Sequence, residues 1–134
     1  MSIEASCRSL LSTAGAITAI VSTRVYNQQR LQGTALPAIT FEVRQNDPVR
    51  VMSGPSGLYD AEVIVSSIAD NYAAARTLAD AVRGWFNGSF TTGTLSIQSV
   101  RLDGESPLDS GLDDGEETAP TTIEQTYRIH YRHL

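Results

Sequence analysis

The stretch "LYDAEVIVSSIADNYAAARTLADAVRGWF", residues 58–86, changes its hydrophobic period once and so predicts a strand followed by a helix. Its first half alternates apolar and polar residues, which is typical of a half-buried strand. The apolar set of the strand is Tyr59, Ala61, Val63 and Val65. The helix begins at Asp70, a residue type that caps helices, and ends at Asn87-Gly88. The apolar stripe of the helix is Ala75, Leu78, Val82, Trp85 and Phe86.

A second alternating segment precedes this stretch and predicts its partner strand. Pro37 opens the segment, where a missing N–H does least harm, and apolar side chains alternate from Ile39 onward. We expect a bulge at Asp47-Pro48, after which the strand resumes at Val49. The turn residues "SGPSG", at positions 53–57, separate the two runs. Together the runs predict a long antiparallel β-hairpin.

Two elements flank this unit. Residues 2–14 carry apolar side chains at helical spacing, and Gly15 offers a stop for that helix. Residues 94–102 have the composition of a strand, but their apolar phase slips. Either a bulge near Gln98-Ser99 or burial on both faces would explain the slip.

The last predicted strand, residues 121–132, alternates cleanly, with Gln125 as the one polar residue of its inward set. The order of elements predicts an α+β fold. We expect a mostly antiparallel four-stranded sheet with two main helices packed on it.

Length and composition predict a single domain over residues 1–134. No apolar run reaches the ~20 residues that cross a bilayer, and the residues after Met1 lack the pattern of a signal peptide. We therefore expect synthesis in a cytoplasm-like compartment. All ten basic residues are arginine, and the net charge is −5. An acidic chain without a basic stripe is a poor candidate for wrapping nucleic acid.

The segment "DGESPLDSGLDDGEE", residues 103–117, holds seven carboxylates, three glycines and no basic side chain. Like charges among Gly, Ser and Pro favour a solvated segment, so we expect a long acidic loop at 103–119. An EF-hand does not fit, because a loop that starts at Asp109 lacks its third ligand and has its glycine one residue late. We predict neither a metal site nor a cofactor.

Catalytic motifs are also lacking in the sequence. His130 and His133 stand three residues apart on a predicted strand, so they face opposite sides and cannot chelate one metal together. Cys7, the single cysteine, lies among apolar residues at helical spacing, which indicates a buried side chain rather than a nucleophile. We expect that the protein is not an enzyme.

Three segments resemble the tail-completion family of long-tailed bacteriophages, which includes tail terminator and tail-to-head joining proteins. The main one is "PVRVMSGPSGLYDAEVIVSSIADNYAAARTLADAVRGWFNG", residues 48–88. The segment before it, "RVYNQQRLQGTALPAITFEV", and the closing "TYRIHYRHL" are similar as well. The shared features are element order and apolar patterning, and the family has no active site to carry over.

The resemblance implies a virion protein of the tail or neck, made in the host cytoplasm, that forms a ring, expected to be hexameric. Its partners would be the tail tube protein and the head-completion or connector protein, with DNA only passing through the lumen. The hairpin 49–62 and the acidic loop are the candidate contacts. The candidate assembly residues are Arg50, Met52, Asp109, Asp113, Asp114, Glu116 and Glu117.

Two questions stay open at the level of sequence. The acidic loop could line a DNA channel and repel DNA, or it could dock on arginines of a partner. The chain could be a tail terminator, a head-closure, connector or minor tail component of the same particle, or an adaptor module.

Overall fold

A computed structural model describes residues 3–13, 15–21, 25–27, 37–51, 54–86, 88–92, 95–109 and 121–133. The helices are α1 (Ile3–Thr13), α2 (Gly15–Val21) and α3 (Tyr72–Trp85). The strands are β1 (Val25–Asn27), β2 (Ala38–Val51), β3 (Gly54–Ala69), β4 (Gly88–Thr92), β5 (Leu95–Asp109) and β6 (Thr121–His133). The chain therefore has the predicted α+β fold.

The strands form one mixed sheet in the order β1-β2-β3-β6-β5-β4. All neighbours pair antiparallel except β1, which runs parallel to β2. The predicted four-stranded sheet was therefore wrong in its strand number. Both additional strands are short, three residues in β1 and five in β4. A strand of three to five residues is too short to show an alternating apolar pattern. The pairing of β1 and β4 therefore depends on the neighbouring strand rather than on their own sequence.

The stretch that decides the fold forms β3 and α3 as predicted, with one shift at the helix start. Asn71, not Asp70, caps α3: its Oδ1 accepts a hydrogen bond from the backbone N–H of Ala74 at 2.9 Å. An N-cap side chain must reach the N–H groups of the first turn, and Asn serves there as well as Asp. Phe86 is fully buried, whereas Trp85, assigned to the same apolar stripe, is 39% exposed.

The long hairpin of β2 and β3 is confirmed, including an irregularity between Pro48 and Arg50. The turn is shorter than predicted, because Val51 already pairs with Gly54 and residues 54–57 belong to β3. Gly57 has a φ of 81°, a backbone conformation that favours glycine. The Gly-rich composition that suggested a turn thus lies within a strand.

Near the N-terminus, α1 confirms the predicted helix and its end before Gly15, and Gly15 itself begins a second helix. Side chains of both helices enter the main core: Leu11 of α1, Ile17 and Val21 of α2 are each 0% exposed. Apolar burial of this kind outweighs the modest cost of a glycine in a first helical turn.

All three helices pack on one face of the sheet. Their buried side chains share a cluster with inward residues of the strands, among them Phe41, Val63, Ile97 and Ile129. On β6 the predicted inward set is confirmed, because every second residue from Ile123 to Tyr131 is at most 1% exposed. The opposite sheet face carries no helix among the described elements.

The acidic segment does not begin as a loop. β5 continues to Asp109, with register shifts after Ile97 and after Leu102, and Asp109 pairs with Thr121 of β6. The predicted loop 103–119 was therefore wrong in its first seven residues, since β6 offers a partner along that whole length. The first shift favours a bulge near Gln98-Ser99, one of the two explanations given for the slipped apolar phase. Residues 110–120 lie outside the described part of the chain.

Candidate assembly surfaces

Three pairs of consecutive strands form hairpins, and the β2–β3 and β5–β6 hairpins close at opposite ends of the sheet. In the β3–β6 ladder, Leu58 pairs with Arg132, and at the other end Ala69 pairs with Thr121. The β2–β3 hairpin closes beyond Leu58, at the pair Val51 and Gly54, and the β5–β6 hairpin closes at the pair Asp109 and Thr121. One end of the sheet thus carries the β2–β3 hairpin, and the other, the acidic end, carries the last residues of β5 up to Asp109.

The first end is a projecting arm, which we define as residues 49–51 and 54–58. Gly54 and Pro55 pair with Val51 and Arg50 of β2, whereas the β3–β6 ladder begins only at Leu58. Beyond Pro48, which is level with Tyr59 and Tyr131, residues 49–51 extend β2 by about 10 Å. Successive side chains of β2, from Arg44 to Val49, are all exposed. Since successive side chains point to opposite faces, both faces of β2 are open to solvent at the base of the arm.

Aromatic contacts fix the base of the arm. The rings of Tyr59 and Tyr131 stack with centroids 5.3 Å apart, and the Tyr131 hydroxyl donates to Asn46 Oδ1 at 2.6 Å. Burial raises the pKa of Tyr131 above its usual value, so the hydroxyl keeps the proton that it donates. Three strands, β2, β3 and β6, are joined by these two contacts.

At the acidic end, Glu105 of β5 is held by two partners. Arg76 of α3 donates to Glu105 Oε1, and Gln125 of β6 donates to the same oxygen at 3.1 Å. Arg76 also pairs with Asp80 across one helical turn, at 3.4 Å, as its spacing predicts. These contacts tie α3 to the part of β5 that leads into the acidic loop.

Gln125 is fully buried, and its amide makes contacts on both sides. Nε2 also donates to the backbone oxygen of Ala79 at 3.1 Å, and Oε1 accepts from the Tyr127 hydroxyl at 3.1 Å. Burial raises the pKa of Tyr127, and the charge of Glu105 adds to this effect. A buried amide whose groups are bonded on both sides fixes the position of α3 on the sheet.

The open face of the sheet carries a separate cluster of charges. Asp103 lies 3.1 Å from Arg101 and 3.5 Å from Arg128, and Arg128 lies 3.6 Å from Asp60. The four side chains alternate in sign across β3, β6 and β5. Pairs that are this open to solvent contribute little stability, about 0–1 kcal/mol each.

The structure describes the backbone of only two of the seven predicted assembly residues. Arg50 and Asp109 lie in β2 and β5 by their backbones, at opposite ends of the sheet, and their side chains are not described. The remaining residues of the set lie outside the described part of the chain. They are Met52, Asp113, Asp114, Glu116 and Glu117.

The side chains examined as catalytic candidates lie apart. His130 is an exposed residue of β6, whereas Cys7 is buried in α1 with its pKa raised to about 12, mainly by desolvation. A thiol with such a pKa is protonated and unreactive at neutral pH. Within the described ranges, no three His, Cys, Asp or Glu side chains are grouped as a metal site requires.

Sequence reasoning missed the bond network around Glu105. The single polar residue in the inward set of β6, Gln125, was a usable signal, because a buried amide needs partners. Its partners, Glu105 and Arg76, could not be named, since the first was assigned to a loop and no sequence pattern links the second to it.

Comparison with known proteins identifies the family. The family model described as "Tail completion protein gp17" matches residues 6–132. The chain therefore belongs to the tail completion protein family, as its resemblance implied. It is a structural protein of a phage-type tail, located in the tail or neck of the virion.

A solved structure described as "Virion of native gene transfer agent (GTA) particle" contains a chain of similar fold. The TM-score is 0.74 at 16% sequence identity, and the match covers 98% of this chain and 95% of that chain. No curated protein matches the sequence. None of the helices that the structure describes is long and apolar enough to cross a membrane.

Proposed function

We propose that the protein is a tail terminator: a ring of identical subunits that caps the tail tube and offers a joining surface to the head connector. The observation that carries this proposal is that the β2–β3 and β5–β6 hairpins close at opposite ends of one sheet. A subunit that joins two structures needs two separate contact surfaces, and this sheet supplies one at each end. The proposed ring has six copies and no catalytic step.

The arm is the proposed contact to one neighbouring ring. Among its described residues, Val49 and Gly57 are exposed, so the arm offers surface that assembly can cover. Arg50 and Met52, close to the turn, are the proposed contact residues. An arginine offers bidentate bonds to carboxylates, and a methionine adapts to an irregular apolar surface.

The acidic segment is the proposed contact at the other end. Glu105 is fixed by Arg76 and Gln125, so the strand that leads into residues 110–120 has a set position. We propose that Asp109, Asp113, Asp114, Glu116 and Glu117 dock on a basic surface of the adjoining ring. Charge complementarity of this kind steers encounter and fixes register. If these residues faced the lumen instead, they would repel DNA and weaken its adhesion to the channel.

Oligomeric state tests the ring. The purified protein should form discrete hexamers, or monomers that form rings once tail tubes are added, as measured by light scattering and negative-stain microscopy. Monomers under both conditions would contradict the proposal.

The position in the particle tests the terminator role. A labelled protein should appear in virions at the head-proximal end of the tail tube. Its appearance between the portal and that position would favour the head-closure role instead. Its appearance at the distal end of the tail would exclude both.

A further inference from the structure

Each margin of the sheet has a step, because the short outermost strand covers only part of the longer strand beside it. β1 covers only part of β2, pairing with Ile39 to Phe41, and β4 covers only the part of β5 from Leu95 to Val100. On one margin, residues 45–48 of β2 have no neighbouring strand among the described elements. On the other margin, the same is true of residues 105–107 of β5.

The registers show that the two steps lie at complementary heights. Tyr26, Thr40, Ser66, Glu124 and Ser106 form one continuous row across five strands. The short strand β1 is therefore level with the uncovered part of β5. A second row is formed by Pro48, Tyr59, Tyr131, Ile97 and Phe90. By that row, β4 is level with the uncovered part of β2. Each half of the sheet has five strands, offset by one strand.

We propose that a second copy of this chain docks on these margins, so that the sheet continues from one subunit to the next. The inference rests on the ring proposed above and names its subunit contact. β1 of one subunit would lie beside residues 105–107 of its neighbour, and β4 of that neighbour beside residues 45–48 of the first. A projecting strand on each subunit thus fills the step of the other.

The strand directions permit this arrangement. β5 runs opposite to β2, because three antiparallel pairings separate them, and β1 runs with β2. Rotation about a ring axis keeps the direction of strands that run along that axis, so in the proposed ring β1 meets the next β5 antiparallel. β4, antiparallel to β5, meets the next β2 parallel. Both are ordinary sheet pairings, and the contact joins two different margins as a closed ring requires.

The exposed margins agree with a contact that forms on assembly. The β2 side chains from Gln45 to Pro48 are exposed, as is Ser106 of β5. Uncovered strand edges invite pairing with other chains, and proteins limit this with proline and charge. Pro48 and Pro107 each lie on one uncovered edge, so pairing there is restricted to the remaining residues. In this arrangement the strand ends, with the arm and the acidic segment, face the adjoining rings.

Disulfide trapping tests the contact. In the double variant Tyr26→Cys/Ser106→Cys, the two cysteines of one chain lie four strand spacings apart, about 19 Å. A disulfide needs Cα atoms within about 7 Å, so only neighbouring subunits can be linked. Assembled rings should be oxidised to a ladder of covalent multimers on a non-reducing gel, with loss of most of the monomer band. Each single variant should remain monomeric on the same gel.

A control variant and a second test pair complete the experiment. The control, Tyr26→Cys/His130→Cys, keeps one cysteine at the sheet margin and places the other at an exposed site on β6, inside the sheet, so it should give no ladder. Asp47→Cys/Ser89→Cys probes the other step, since both residues lie near the row of Ser99, and should give the same ladder. It also replaces the first pair if Tyr26→Cys prevents folding.

The outcomes separate the two proposals. If light scattering shows rings but neither cysteine pair gives a ladder, the proposed contact between sheet margins is overturned and the terminator role is unaffected. Monomers with and without tail tubes would overturn both. Ladders from both pairs, absent in the His130 control, would support the contact in the stated register.

Discussion

Gln125, fully buried on β6, donates to the carboxylate of Glu105 on β5 at 3.1 Å. Arg76 of α3 donates to the same carboxylate oxygen. A helix and two strands are therefore joined at one charged oxygen, close to where β5 enters the acidic segment. The proposed contact surface at this end is thus supported from the core of the subunit.

Replacing Gln125 with leucine should destabilise the fold. The variant would leave the Ala79 carbonyl and the Tyr127 hydroxyl without their present partners, at a cost of about 1–3 kcal/mol in the free energy of unfolding. The urea midpoint should fall with little change in the m-value. Glu124→Gln, on the open face of the same strand, should change stability by less than about 0.5 kcal/mol. Equal midpoints for both variants would show that the network contributes nothing.

The neighbouring aromatics Trp85 and Phe86 should differ when each is replaced by alanine. Phe86 is fully buried and packs edge-on against Tyr127 with ring centroids 4.9 Å apart, so its loss should cost about 3–5 kcal/mol. Trp85 is 39% exposed, and its indole N–H donates to the backbone oxygen of Leu10 at 3.0 Å. Its loss should cost less, about 2 kcal/mol. Urea unfolding measures both, and a reversed order would contradict the burial pattern.

The sequence revealed the long elements because burial on one face imposes a period. The alternation in β6 was sufficient for a correct inward set, and the stripe of α3 was correct except at Trp85. β4 was missed because five residues with Gly and two Thr do not alternate visibly. Asp103 and Glu105 were assigned to a loop because the run of negative charge around them is typical of a solvated segment. In the fold, Arg128 pairs with Asp103 and Arg76 pairs with Glu105, so both carboxylates are compensated within a strand.

The candidate site was less predictable than the fold. The positions of Arg50 and Asp109 at opposite ends of the sheet follow from strand order, which depends on pairing between segments distant in the chain. No local pattern encodes that β6 lies between β3 and β5. The stepped margins have the same origin, since they require β1 and β4.

Cys7 should make stability fall at high pH. Burial raises its pKa from 9.0 to about 12, so the folded state holds its proton above pH 9 while the unfolded state releases it. The stabilising contribution is therefore complete below pH 9 and is lost as the pH rises from 9 towards 12, by at most about 1.4 kcal/mol per pH unit. Cys7→Ala should show a shallower decline than the wild type when urea unfolding is measured at successive pH values. Because Tyr127 and Tyr131 are also shifted upward, only the difference between the two proteins reports on Cys7.

Neutralising the acidic segment should impair assembly without unfolding the subunit. The five carboxylates changed to amides are Asp109, Asp113, Asp114, Glu116 and Glu117. We expect an unchanged urea midpoint, because the composition of the segment predicts that it is solvated, and a loss of head-to-tail joining in a complementation assay. A matched control removes the same charge from other surfaces. Its five changes to amides are at Glu4, Glu42, Glu62, Asp70 and Glu124.

The two five-site variants distinguish a local contact from a general charge effect. If the acidic segment docks on a basic partner, its variant should yield separate heads and tails, while the control variant should yield normal particles. If net negative charge alone matters, for example by repelling DNA in a channel, both variants should lose infectivity with heads and tails still joined. Normal infectious particles from the acidic-segment variant would contradict both roles for these carboxylates.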